Sequence, residues 1–154
     1  RCWMRIRFVG VFRWKHEPAG TSPVLIASAF QDEDLPFFQR KPIREVTTLL
    51  AKRCIERTPV NIYGSVEHEG RCCYTTKLTS GIGASIITEE DYPRLGAFKV
   101  LGEVVRQYER RHKPPFGTSR KDNMEDDPHL MATMERFKDP RAADPLTGIN
   151  AQIE

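Results

Sequence analysis

The sequence predicts an α/β domain in which one β-sheet is covered by helices, and three observations carry that expectation. Residues 82–88 are small or apolar and hold three isoleucines, the length and β-branching of a strand buried on both faces. Beyond them, Phe98, Leu101, Val105 and Tyr108 recur at helical spacing, while Lys99, Glu103, Arg106 and Arg110 fall on the opposite side. A central strand therefore feeds an amphipathic helix over 93–111. Near the start, residues 4–14 alternate and residues 24–30 form a second apolar run, with a Pro- and Gly-containing turn between them. That is a hairpin.

Within 4–14, Ile6, Phe8, Phe12 and Trp14 share one face. Arg5, Arg7, Arg13 and Lys15 share the other with Val9 and Val11, so one face is expected in a core and the arginine face in solvent or guarding an edge. An acidic loop follows at 31–35, and Pro42 is expected to open a helix that runs to about Arg57. Ile43, Val46, Leu50 and Cys54 form its expected buried line; Arg44, Glu45, Thr48, Lys52 and Glu56 form its wet side. Leu49 belongs to neither. At 100° per residue it falls on the shoulder beside Val46, as half-buried core or as part of a surface groove.

Residues 61–67 and 72–78 read as strands around a Glu69-Gly70 turn, giving the order β-β-α-β-β-β-α. Asp91 is the expected cap of the second helix, with Pro93 in its first turn. Residues 113–128 are polar and Pro-containing, the pattern of a long mobile loop. Residues 129–138 suggest a short third helix burying Leu130, Met134 and Phe137. Asp139-Pro140 and Asp144-Pro145 punctuate a linker, after which Leu146, Ile149 and Ile153 step by three and four like the start of a coiled-coil seam.

A chain of 154 residues holds one ordinary domain. The organisation read here is a domain over 1–138 and a linker with the first helical turns over 139–154. The hydrophobic fraction is 39% and the mean hydropathy is negative, so part of the length is solvated. A net charge of +3 does not by itself imply nucleic acid. No apolar run approaches a membrane span, and no secretory leader opens the chain. Met4, at the head of the first strand, is the expected native start. Cys54 lies on a helix stripe, and Cys72 and Cys73 point to opposite faces of a strand, which suits a reduced cytosolic protein better than a disulfide framework.

His68, Glu69, Cys72 and Cys73 cluster, but their spacing fits no standard metal site. Gly81-Ile82-Gly83 precedes its strand rather than following it, so it is no phosphate loop. No enzymatic constellation stands out, and neither a cofactor nor a metal is expected.

Five stretches resemble the family of lipid-anchored longin R-SNAREs, the YKT-six synaptobrevin homologues. These are residues 4–13 (MRIRFVGVFR), 37–40 (FFQR), 89–93 (EEDYP), 137–145 (FKDPRAADP) and 149–154 (INAQIE). They fall in the family's order across nearly the whole chain. The resemblance implies a longin or profilin-like α-β-α sandwich: a five-stranded mixed sheet, one helix on one face and two on the other. It also implies the N-terminal regulatory domain of a vesicle-fusion R-SNARE, with autoinhibitory and targeting roles in ER–Golgi transport and no ordinary catalysis. The implied partners are cognate SNAREs and the protein's own SNARE helix and C-terminal lipid. Membrane attachment would come only through prenylation and related lipidation, with cycling between cytosol and Golgi or other endomembranes. The family's SNARE helix begins near Pro145, so Leu146, Ile149 and Ile153 would open its seam. The family uses the face of its first helix for autoinhibition, which here points to a groove lined by Val46, Leu49, Ile62 and Val66. A longin-like subunit of a tethering or coat complex is the alternative: it shares the sheet and lacks the coiled coil.

Overall fold

The computed structural model describes residues 5–142. Its elements are β1 (Ile6–Arg13), β2 (Val24–Phe30), α1 (Phe37–Arg57), β3 (Tyr63–His68), β4 (Arg71–Lys77), β5 (Ile82–Glu89), α2 (Arg94–Arg111) and α3 (Pro128–Arg136), then a 3-10 turn at Pro140–Ala142. Met4 and the expected seam of Leu146, Ile149 and Ile153 lie outside the described residues.

The five strands form one sheet in the order β2-β1-β5-β4-β3, with β5 in the middle as its two-sided burial requires. Every neighbouring pair is antiparallel, so the sheet is not mixed as expected. The reason is topological. Parallel neighbours need a crossover between them, and the one helical crossover, α1, joins β2 to β3 at opposite edges. The β3–β4 hairpin turns at Glu69 and Gly70, both at positive φ (50° and 79°), the conformation a tight two-residue turn requires.

Helices cover both faces, one against two. On one face α1 packs through Ala51 and Ile55 on Phe8, Phe12, Leu25 and Phe30. On the other, α2 and α3 bury Val100, Leu101, Val104 and Leu130 against Val9, Val11, Ile82 and Ile86. Strand β1 therefore has both faces in a core, contrary to the single buried face expected. Helices on both sides of the sheet, α1 on one and α2 with α3 on the other, leave it no solvated face. Its arginines do not guard an edge: Arg13 donates to the carbonyls of Phe116 and Ser119, and Arg7 pairs with Asp34 and Glu89.

The second helix starts at Arg94 with Pro93 as its cap, and Asp91 is not the cap. Tyr92, just before it, is buried and donates to the carbonyl of Phe137 at 2.7 Å, tying α2 to the end of α3. Helix α3 is capped by Asp127 and buries Leu130, Met134 and Phe137 as the spacing predicts. Of residues 113–128, expected to be mobile, the stretch 122–127 instead lies along β2, and the carbonyls of Phe116 and Ser119 accept from Arg13. The amides of Asn123 and Asp127 donate to the carbonyls of Leu25 and Ser28, and the carboxylates of Asp122 and Asp126 accept from the amides of Leu25 and Phe30. These bonds occupy the outer edge of β2. Among the described residues nothing pairs with the outer edge of β3.

Candidate functional site

Helix α1 forms for reasons the sequence only partly exposes. It begins five residues before Pro42, at Phe37, with Pro36 as its cap. Arg40 makes this start possible by donating to the carbonyls of Leu35 and Glu33, which steadies the entering loop. Pro42 is thus inside the helix, in its second turn, and does not open it. At the other end Thr58 donates through its hydroxyl to the carbonyl of Cys54, and Pro59 prevents continuation.

The buried face of α1 is not the apolar line. It consists of Thr48, Ala51 and Ile55, flanked by Arg44 and Lys52. Ile43, Val46 and Leu50, expected in the core, are 42%, 55% and 51% exposed, and Cys54 is only half-buried. Two physical causes turn the helix. The sheet beneath already carries three phenylalanines, so small residues let the helix approach. The polar face is also held electrostatically: Arg44 pairs with Asp32 at 2.7 Å and Asp126 at 3.2 Å, and Lys52 pairs with Asp122 at 2.7 Å. Arg44 stacks over the ring of Phe30 besides.

What this rotation leaves is a groove of about 630 Å³ between α1 and the β3–β4 hairpin. Phe8, Phe30 and Ile87 form its floor; Ile43, Thr47, Leu50 and Cys54 form one wall; Val66 and Cys73 form the other. Charges ring the mouth. Arg7 sits between Asp34 and Glu89, and its hydrogen bond holds the Asp34 carboxyl below the usual carboxylate range. Arg53, Arg57 and Arg71 complete the rim.

Of the four groove residues expected from sequence, Val66 lines the groove. Val46 is exposed and does not line it. Leu49, 52% exposed, lines a separate recess on the far side of α1 with Glu45, Lys52, Asp122 and Met124. Ile62 is exposed in the turn before β3. Ile43, Leu50 and Cys54 were missed as groove residues because they are the most apolar line on the helix. A signal did exist: Arg44, Thr48 and Lys52 share one face, and the acids that hold it recur at 122 and 126.

Cys54 and Cys73 line the groove from its two walls. Interaction with Cys73 lowers Cys54 to about 7 against the opposing effect of burial, with Arg57 adding to the shift. The same contact, then burial, pushes Cys73 up. Cys72 packs on the opposite face with the α2 core. Among the described residues no group of three or more His, Cys, Asp or Glu side chains is placed to hold a metal. Nor is any helix there long and apolar enough to cross a membrane.

Five antiparallel strands, one helix against two, and an open groove beside the lone helix define a longin-type domain. The comparisons agree. The chain is 25% identical to the VAMP-like protein YKT61 of Arabidopsis thaliana, covering 91% of this chain and 70% of that protein. It is 24% identical to the putative synaptobrevin homolog YKT6 of Dictyostelium discoideum over 98% of this chain and 75% of that protein. It is 26% identical to the synaptobrevin homolog YKT6 of Yarrowia lipolytica, over 98% and 74%. No family model matches the sequence. The chain is thus similar to YKT6-type synaptobrevin homologues over nearly its whole length, and its fold is consistent with a longin domain.

Proposed function

We propose that this is the N-terminal regulatory domain of a vesicle-fusion R-SNARE, and that the groove beside α1 holds the protein's own SNARE helix or lipid tail in a closed state. The observation that carries this reading is the inverted seat of α1. A helix anchored by Arg44 and Lys52 leaves Ile43, Val46 and Leu50 about half exposed. Burying that line against an apolar guest would contribute about 1.5–3 kcal/mol per side chain. Similarity to the YKT6 proteins supports the choice of guest. Of the residues expected from sequence, Val66 would touch the guest in the groove wall, while Val46, Leu49 and Ile62 lie outside its lining. Leu146, Ile149 and Ile153 would open the SNARE helix. The protein would act by joining cognate SNAREs, without catalysis, and would cycle between cytosol and the cytosolic face of Golgi or other endomembranes.

Partition between cytosol and membrane tests the closed state. In a full-length lipidated protein, the double substitution Ile43→Glu and Leu50→Glu is expected to shift material from cytosol to membrane by tenfold or more. The melting temperature of the domain should stay unchanged. An intact domain with unaltered partition would remove the groove from the closed state.

A further inference from the structure

Two cysteines on different elements, Cys54 of α1 and Cys73 of β4, line the groove from its two walls, and neither thiol is used by the reading above. Their proximity follows from the packing of α1 on β4. Thr58 and Thr75 share a hydrogen bond of 2.6 Å between hydroxyls. Cys54 lies one helical turn before Thr58, about 6 Å along the axis, and Cys73 lies two residues before Thr75, a little under 7 Å along the strand. The two steps match, so the pair above Thr58 and Thr75 is Cys54 and Cys73. Cys73 is further fixed by Ser85, whose hydroxyl lies 3.3 Å from its sulfur. Both cysteines line the groove, which opens to solvent.

We propose that Cys54 and Cys73 form a dithiol site that is oxidised reversibly to a disulfide by a low-molecular-weight disulfide such as glutathione disulfide, clamping α1 to β4 across the groove wall. Cys54 is the attacking thiol. Lowered to about 7, it is substantially thiolate at neutral pH and is reached from the groove. Its sulfur attacks the S–S bond of glutathione disulfide, forms a mixed disulfide and expels one glutathione thiolate. That step removes the negative charge whose contact held the Cys73 proton. Cys73 then loses its proton to solvent and attacks the Cys54 sulfur, expelling the second glutathione thiolate. Two protein thiols are oxidised, and one glutathione disulfide is reduced to two glutathiones. Cys72 takes no part, because it faces the α2 core from the other side of the sheet. The site does not depend on what the groove accommodates.

The test uses the whole chain with Cys2→Ser and Cys72→Ser, so that only the two thiols of interest remain. After incubation with glutathione disulfide at neutral pH, intact mass should show loss of two hydrogens. Trypsin should release residues 54–57 joined to residues 72–77. Dithiothreitol should reverse both results, and the oxidised form should melt several degrees higher than the reduced form. Cys73→Ser in the same background should stop at a stable glutathione adduct on Cys54. A stable adduct on Cys54 with Cys73 free in the two-thiol protein would overturn the proposal, as would no reaction at all. Should the serine background fail to fold, the natural sequence under the same oxidant must yield the Cys54–Cys73 peptide in preference to any linkage through Cys2 or Cys72.

Discussion

Helices α1 and α2 pack on opposite faces of one sheet and treat their apolar residues in opposite ways. Helix α2 buries Ala97, Val100, Leu101, Val104, Val105 and Tyr108, and turns Lys99, Arg106 and Arg110 to solvent. Helix α1 buries Thr48, Ala51 and Ile55 and leaves Ile43, Val46, Leu49 and Leu50 exposed. Hydrophobic burial explains the first helix of this comparison and not the second. On α1, ion pairs at Arg44 and Lys52 and close approach to three phenylalanines set the rotation. A helix held by its polar side keeps an apolar side exposed beside the groove.

The comparison breaks most visibly in stability. Leu101 is fully buried, so Leu101→Ala on α2 is expected to cost about 3–4 kcal/mol, read as a lower denaturant midpoint. Leu50→Ala on α1 should cost less than about 0.5 kcal/mol, because half of that residue is already in water. Similar losses at the two leucines would mean that α1 is seated by its apolar line after all.

The next effect isolates what does seat α1. Arg44→Ala removes a guanidinium bonded to Asp32 and Asp126 and stacked on Phe30, and it leaves the mostly buried Asp32 without its ion-pair partner. A loss of about 2–3 kcal/mol is expected, more than for any single apolar residue exposed on this helix. A loss under about 0.5 kcal/mol would leave the rotation unexplained by these pairs.

Much of the fold was legible in the sequence because its signals are local. The run at 82–88, the α2 periodicity, both hairpins and the α3 stripe depend on neighbours in the chain, and each lies where its spacing predicts. The misses involve partners far apart in sequence. Burial of both faces of β1 depends on helices packing on both sides of the sheet, which alternation alone does not reveal. Residues 122–126 are polar yet held in place, since Asp122 and Asp126 answer amides of β2 97 and 96 positions away and cations of α1 70 and 82 positions away. The same long-range pairs rotated α1. A groove is expected from sequence beside α1 and β3, and a cleft that includes Val66 lies there. Its helical wall was assigned to the core by a rule that holds for α2.

The smallest expected effect is also the sharpest, because it compares two adjacent residues of one type. Leu49 and Leu50 are 52% and 51% exposed. Equal exposure predicts equal consequences for stability, and Leu49→Glu and Leu50→Glu should each leave the melting temperature of the domain within about a degree or two. Their surroundings differ: Leu50 lines the groove, and Leu49 lines the recess beside Asp122 on the other side of the helix. A prenylated cysteine methyl ester, titrated into the domain and followed by backbone amide shifts, should therefore distinguish them. Leu50→Glu places a carboxylate against the guest and is expected to weaken binding by tenfold or more, the equivalent of losing one buried leucine. Leu49→Glu should weaken it by less than threefold. Equal weakening by both would mean that the guest lies across the crest of α1 rather than in the groove, with Val46 at the centre of its contact.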